Sequence, residues 1–253
     1  MSATEASPLE RAAIVLSALL NDDETFIVGG ASPVPLAAAL LAQKFHAPNL
    51  VLLTGSGAVN PRPTEIPRSG GSGNLLHSAE AIIDIDDIYD LTESGAIDAI
   101  CLGGLQVDRF GNFNLTAVGS YEAPRLRGPG MANIGLTMTA TRLLLFSPVH
   151  SAKTLVERVD YATGYGSRLP SGERVPHRTG GGPEFLLTPD AYFEFTGPDG
   201  EAELVAISEE TTIAAVTERT GWQVADAAPD RFPPVDDEQL QFVRSIDAAG
   251  ILA

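Results

Sequence analysis

Cysteine is almost absent from this chain. Cys101 is the single thiol in 253 residues, so neither an internal disulfide nor a cysteine metal cluster can form. The expectation is a cytoplasmic protein. Basic residues are also scarce: 16 Lys and Arg stand against 33 Asp and Glu, a formal net charge of −17. No general positive field exists to attract nucleic acid or an anionic membrane. A phosphorylated ligand would be repelled as well, unless helix N-termini, a few arginines or a less acidic partner chain help locally. Long hydrophobic runs are missing too. The apolar stretch Ala12 to Leu20 is interrupted by Ser17 and falls far short of the roughly 20 residues a membrane span needs. No cleavage signature follows it, so neither a signal peptide nor a membrane helix is expected.

Several catalytic motifs are lacking. The serine-hydrolase elbow Gly-x-Ser-x-Gly is absent around both Ser56 and Ser72. The dinucleotide fingerprint is not met at Gly128-Pro129-Gly130, where the next glycine is Gly135 and Pro129 has no amide to offer a pyrophosphate. The histidines, His46, His77, His150 and His177, include no pair at one-turn spacing, and no metal site is expected. The run Asp84-Ile85-Asp86-Asp87 lacks the glycine and later glutamate of a calcium loop and reads as a solvated acidic face.

What is present is a globular balance, 44% hydrophobic and 19% charged, long enough to bury a sizeable core; one domain over 1–253 is the expectation. Apolar spacing predicts a helix from Leu9 to Leu20, a strand over Thr25 to Val28, and a glycine turn. A second helix follows from Pro35 to His46, with Ser32 as its N-cap and Pro33 at the first position, and then a strand from Asn49 to Leu53. This is the βαβ unit of a parallel sheet. The segment Gly55 to Asn74 is glycine- and proline-rich and reads as a functional loop. Strands follow at Ala99 to Leu102 and Arg142 to Phe146, separated by a tight turn at Asp108 to Asn112. Alternation over Ala191 to Thr196 and Glu203 to Ile207, around Gly197-Pro198-Asp199-Gly200, predicts a late hairpin. Helices at about Thr211 to Arg219 and Asp236 to Ser245 complete the chain. The fold class is α/β, a predominantly parallel sheet with helices on both faces and a late antiparallel hairpin.

Three strings come in a telling order: Leu53-Thr54-Gly55-Ser56-Gly57-Ala58-Val59, then Leu102-Gly103-Gly104-Leu105-Gln106-Val107-Asp108-Arg109-Phe110-Gly111-Asn112, then Gly128-Pro129-Gly130-Met131-Ala132-Asn133. In order and spacing they resemble family I CoA-transferase β subunits, from about Phe26 to the end of the chain. The middle string is the closest match. That resemblance implies a CoA-transferase-like fold and chemistry in which a glutamate, in a Ser-Glu-Asn-Gly turn, attacks an acyl-CoA and becomes a glutamyl-CoA thioester. Here the turn falls on Thr54-Gly55-Ser56-Gly57, with glycine at the glutamate position, and the third string has also lost an aspartate. Glu65 is the nearest carboxylate in the same loop, but prolines surround it and relocation there is not favoured.

With both carboxylates gone, the pattern is similar to the branch of this fold that opens the last ring of a cholesterol-derived CoA thioester. The resemblance then implies a β subunit in a heteromer, an α-type partner supplying a carboxylate as general base, and no cofactor beyond the CoA carried by the substrate. Substrate-binding residues would come from the amides of Gly55, Ser56 and Gly57, which either stabilise an oxyanion or only shape a turn. Arg125 and Arg127, with Gly128 and Gly130 behind them, either hold a carboxylate or CoA phosphate or form surface ion pairs. Gln106 and Asn133 either orient a carbonyl or water or satisfy local backbone. Two rival readings stay open: true CoA transfer to a dicarboxylate, and a catalytically silent structural or regulatory subunit.

Overall fold

The computed structural model describes residues 5–169, 171–176, 178–225 and 228–253; His177 lies outside them. The chain forms two compact units, Met1–Cys101 with Pro233–Ala253, and Leu102–Phe232. Among the described residues no helix is long and apolar enough to cross a membrane.

The first unit starts with helix α1, Pro8–Ala18, shorter at its C-terminal end than its apolar pattern suggests. Ser7 and Glu10 form a reciprocal capping box: the Ser7 hydroxyl accepts from the Glu10 amide at 3.1 Å and the Glu10 carboxylate accepts from the Ser7 amide at 2.8 Å. Strand β1, Thr25–Val28, leads into helix α2, Pro33–Phe45, and strand β2, Val51–Thr54. Ser32 does sit at the N-cap of α2, but its hydroxyl donates to the Gly30 carbonyl at 2.9 Å and makes no side-chain cap bond. It stabilises the preceding glycine turn instead.

Beyond β2 the expected loop is partly ordered into strand β3, Ala58–Val59, and a 3-10 helix, Gly73–Ser78. Strand β4, Ala81–Ile82, helix α3, Ile85–Glu93, and strand β5, Ala99–Leu102, follow. The acidic run, expected as a solvated face, is the exposed first turn of α3, where Asp87 accepts from the Asp84 amide at 2.9 Å. Parallel pairing joins β5 to β1 and β1 to β2, while β3 and β4 add antiparallel. Phe26, Leu36, Leu41 and Leu52 fill the core between sheet and helices. The C-terminal helix Asp237–Ile246 packs on α1 and α2, and Arg244 grips the buried Glu10 through Nε at 2.7 Å and Nη2 at 3.0 Å.

The second unit opens with short pairings: β6, Gln106–Asp108; β7, Phe113–Asn114; and a hairpin of β8, Ala117–Gly119, with β9, Pro124–Arg127. After the one-turn helix α4, Leu136–Thr139, strand β10, Arg142–Phe146, falls where its hydrophobic run predicts. Strand β11, Leu155–Val156, pairs with β6. Strand β12, Pro183–Leu187, runs parallel to β10. The late hairpin is β13, Ala191–Glu194, with β14, Glu203–Ile207; Asp199 at φ 61° and Gly200 at φ 77° turn it. Helix α5, Ile213–Glu218, is capped by Thr212, whose hydroxyl accepts from the Ala215 amide, and strand β15, Asp230–Arg231, pairs with β14.

Candidate functional site

In the first unit the turn Thr54 to Gly57 sits at the carboxyl end of β2, beside the glycine turn that ends β1. Such strand ends are where open α/β sheets take ligands. Thr54 is fully buried, and its hydroxyl bonds the Ala58 carbonyl and amide, both at 3.2 Å. Ser56 Oγ lies 2.9 Å from Thr54 Oγ1. Either hydroxyl can be the donor in that contact. Among the described residues no imidazole or carboxylate hydrogen-bonds to the Ser56 oxygen.

The expectation that Gly55, Ser56 and Gly57 present free amides is corrected. Gly55 N–H donates to Val28 at 3.0 Å, Ser56 N–H to Gly70 at 3.2 Å and Gly57 N–H to Thr54 at 2.9 Å. Each donor is consumed by a backbone carbonyl, so the turn has no oxyanion hole of its own. It offers the Ser56 hydroxyl and the open face of Gly55, where an added Cβ would come no nearer than 3.8 Å to any neighbour. Glu65 is held elsewhere: the next amide, Ile66, donates to Ile246 at 2.7 Å, and Glu65 lines a recess of about 520 Å³ with Arg62, Arg68 and His77.

In the second unit the middle string forms a buried knot. The Asp108 carboxylate accepts from the amides of Phe110 and Asn112, each at 3.0 Å, and from Asn112 Nδ2 at 3.1 and 3.0 Å. Burial pushes the Asp108 carboxyl up from its ordinary value, and these donors only partly offset it. Gln106 is 4% exposed, and both ends of its side-chain amide are hydrogen-bonded. Its Oε1 accepts from Asn114 Nδ2 at 2.8 Å and the Asp160 amide at 3.0 Å, while its Nε2 donates to Asp160 Oδ2 at 3.1 Å. Gln106 therefore ties β6 to β7 and to Asp160.

Asp160, which the sequence does not single out, ties this knot to the arginines. Its Oδ2 also accepts from the Gly119 amide at 2.7 Å and lies 4.0 Å from Arg125 Nη2. Arg125 and Arg127 are two residues apart on β9, so they share one face of the hairpin, and both are exposed. The Arg127 guanidinium donates to the Tyr121 carbonyl at 3.0 Å and lies 4.9 Å over the Tyr121 ring, which stacks on Tyr161 at 5.3 Å. Gly128 and Gly130 return the chain against Leu115 and Thr116: the Gly128 amide donates to Thr116 at 2.9 Å and the Gly130 amide to Leu115 at 2.8 Å. A Cβ on Gly128 would meet the Leu115 oxygen at 2.1 Å, which explains glycine there. Asn133 is half-buried just before α4. Gln106, Arg125, Arg127, Gly128 and Gly130 thus belong to one neighbourhood of this unit. Tyr121, Tyr161 and Asp160 join them only through tertiary contact, and nothing in local spacing flags them. No group of three metal-ligating side chains occurs among the described residues.

Comparison with known proteins fits this geometry. The chain is 30% identical over 223 residues to one of the subunits of the 3-oxoadipate CoA-transferase of Pseudomonas knackmussii, covering 85% of this chain and 84% of that one. It is 23% identical over 251 residues to the cholesterol ring-cleaving hydrolase IpdB subunit of Rhodococcus jostii, covering 96% and 93%. The crystal structure of the decarboxylase AibA/AibB superposes with a TM-score of 0.82 at 29% identity, covering 98% of each chain. The Coenzyme A transferase family profile matches residues 9–188, and on that match and these likenesses the chain belongs to the Coenzyme A transferase family, with the β-subunit fold of its family I members.

Proposed function

We propose that this chain is the β-type subunit of a heteromeric acyl-CoA enzyme that works without a glutamyl-CoA intermediate, and that its reaction is the hydrolytic opening of the last ring of a steroid-derived CoA thioester. The observation that carries this reading is the Thr54 to Gly57 turn. Covalent transfer needs a carboxylate nucleophile, and the turn holds only two hydroxyls bonded to one another. Loss of the nucleophile leaves chemistry in which the thioester stays intact. Water adds to a ring carbonyl, the adjacent carbon-carbon bond breaks, the carbonyl carbon becomes a carboxylate, and the leaving carbon takes up a proton. The general base comes from an α-type partner subunit, and CoA enters only as part of the substrate. Arg125, exposed on β9, suits a substrate carboxylate, because guanidinium binds carboxylate bidentately. Similarity to the ring-cleaving IpdB subunit over nearly the whole chain supports the reading.

A second reading, true CoA transfer, is favoured by the higher identity to the 3-oxoadipate CoA-transferase chain. One experiment separates them. The chain is co-expressed with its α-type partner and assayed with a cyclic oxo-acyl-CoA, following ring opening, thioester content and CoA transfer to added dicarboxylate. Ring opening with the thioester retained is expected. Transfer of CoA, or a borohydride-sensitive glutamyl-CoA adduct, would sink the hydrolase reading.

A further inference from the structure

All the large hydrophobic residues exposed in the first unit, among those described, fall in one short stretch: Ile82 at 62% exposure, Ile85 at 55% and Tyr89 at 36%. A single exposed apolar side chain is ordinary, but a group of them marks an interaction surface. Their placement is also particular. Ile82 belongs to β4, which pairs with β3 and ends the sheet, so no described strand covers its other edge. Sheet edges are normally covered or blunted, since unpaired backbone there invites another chain.

Helix α3 continues the apolar surface. Ile85, Ile88, Tyr89 and Thr92 recur at helical spacing on one face. Ile88 and Thr92, at 3% and 0% exposure, are spent on the core, whereas Ile85 and Tyr89 are left in water. Folding of this unit thus buries half of an amphipathic face and leaves the other half for a second body to cover.

Charge narrows what that body is. Asp84, Asp86, Asp87, Asp90 and Glu93 flank the apolar group and are all exposed. The chain has no Lys or Arg between Arg68 and Arg109 to balance them. A second copy would set these five carboxylates against the same five, and like charges brought together at an interface repel. An anionic lipid surface is opposed for the same reason. A chain that presents apolar side chains ringed by Lys and Arg is the complement.

We propose that Ile82, Ile85 and Tyr89, rimmed by these carboxylates, form the docking surface for the α-type partner subunit, which meets them with apolar side chains inside a basic ring. The proposal rests on the reading of the chain as one subunit of a heteromer, and not on the ring-opening chemistry.

Assembly of the full chain with its α-type partner tests it, followed by sedimentation at several salt concentrations and by amide exchange. The native chain is expected to assemble, and exchange over residues 81–93 to slow in the complex relative to the chain alone. Ile82→Lys combined with Ile85→Lys, both at positions more than half exposed, should weaken assembly by about tenfold or more while the chain alone keeps its urea midpoint. Asp86→Asn combined with Asp90→Asn leaves the Asp84 and Asp87 capping contact in place, and should slow association and flatten its salt dependence. Failure of the native chain to assemble would remove the heteromer reading and the proposal with it. Equal assembly of the native chain and the double lysine variant, or exchange over 81–93 that does not slow, would overturn the docking surface alone. Self-association that the lysine variant abolishes while the heteromer is unaffected would give the surface to a second copy and overturn the proposal.

Discussion

Gly57 and Gly55 are two residues apart in the same turn and answer to different constraints. Gly57 has φ +84°, and a Cβ there would meet the Ile83 carbonyl oxygen at 2.1 Å; at Gly55 a Cβ would make only ordinary contacts, the nearest the Val28 oxygen at 3.8 Å. Gly57→Ala must therefore displace backbone and should cost at least about 1–3 kcal/mol. Gly55→Ala should change stability by less than about 1 kcal/mol. Urea denaturation of both variants checks this, and equal costs would refute the assignment of roles. Glycine at position 55, which the resemblance aligns with the family's glutamate, is thus not demanded by packing. His150 is a second residue-scale case. It is 5% exposed between the hydroxyls of Thr188 and Thr220, at 2.9 and 3.1 Å. Burial lowers its pKa below the ordinary 6.5; the Asp190 charge and the Val216 carbonyl oppose the shift, and the Arg219 charge adds to it. A histidine depressed in the folded state leaves stability intact above pH 6.5 and weakens it as pH falls through the folded value, because the unfolded chain takes up the proton first. Unfolding midpoints measured from about pH 7.5 down to 5 should fall on the acid side. His150→Gln should flatten that slope, and an identical slope in both proteins would count against it.

Elements follow from sequence to the extent that their pattern is long enough to see. The four- and five-residue runs of β1, β2, β5 and β10 are apolar almost throughout and stand out. The pairs β3, β4, β7 and β11 have two residues each, too few for any period to show, and they exist because neighbouring backbone offers partners. Helix α3 reads in sequence as an acidic face because only Ile88 and Thr92 of its nine residues are buried. The β8–β9 hairpin shows how an element gains its place from a side chain distant in sequence. Asp160 holds the Gly119 amide and Gln106 Nε2 and lies near Arg125. Asp160→Ala strips the acceptor from two donors, a loss of about 1–3 kcal/mol. Amide exchange over residues 117–127 should accelerate while exchange in β12 stays slow. Unchanged exchange in the hairpin would show that Asp160 does not anchor it.

At the scale of the molecule, the sequence by itself determined the acidic character, the α/β class and the family resemblance, because these depend on composition and on patterns that repeat over many residues. It also exposed the absence of a carboxylate at the Thr54 to Gly57 turn, since identity at a position needs no coordinates. The sequence marks Arg125, Arg127 and their glycine neighbours, and the structure brings them into one neighbourhood of the second unit. The hydrogen-bond partners of Gly55, Ser56, Gly57 and Gln106 could not be read from it, because whether an amide is free depends on which carbonyl lies opposite it. Only the tertiary structure decided that Val28, Gly70 and Thr54 consume the turn's amides and that Gln106 bonds to Asn114 and Asp160. It alone left Ile82, Ile85 and Tyr89 in water where the sheet ends. Hydrogen bonds and charge clusters form between residues that folding brings together, and no local spacing records them.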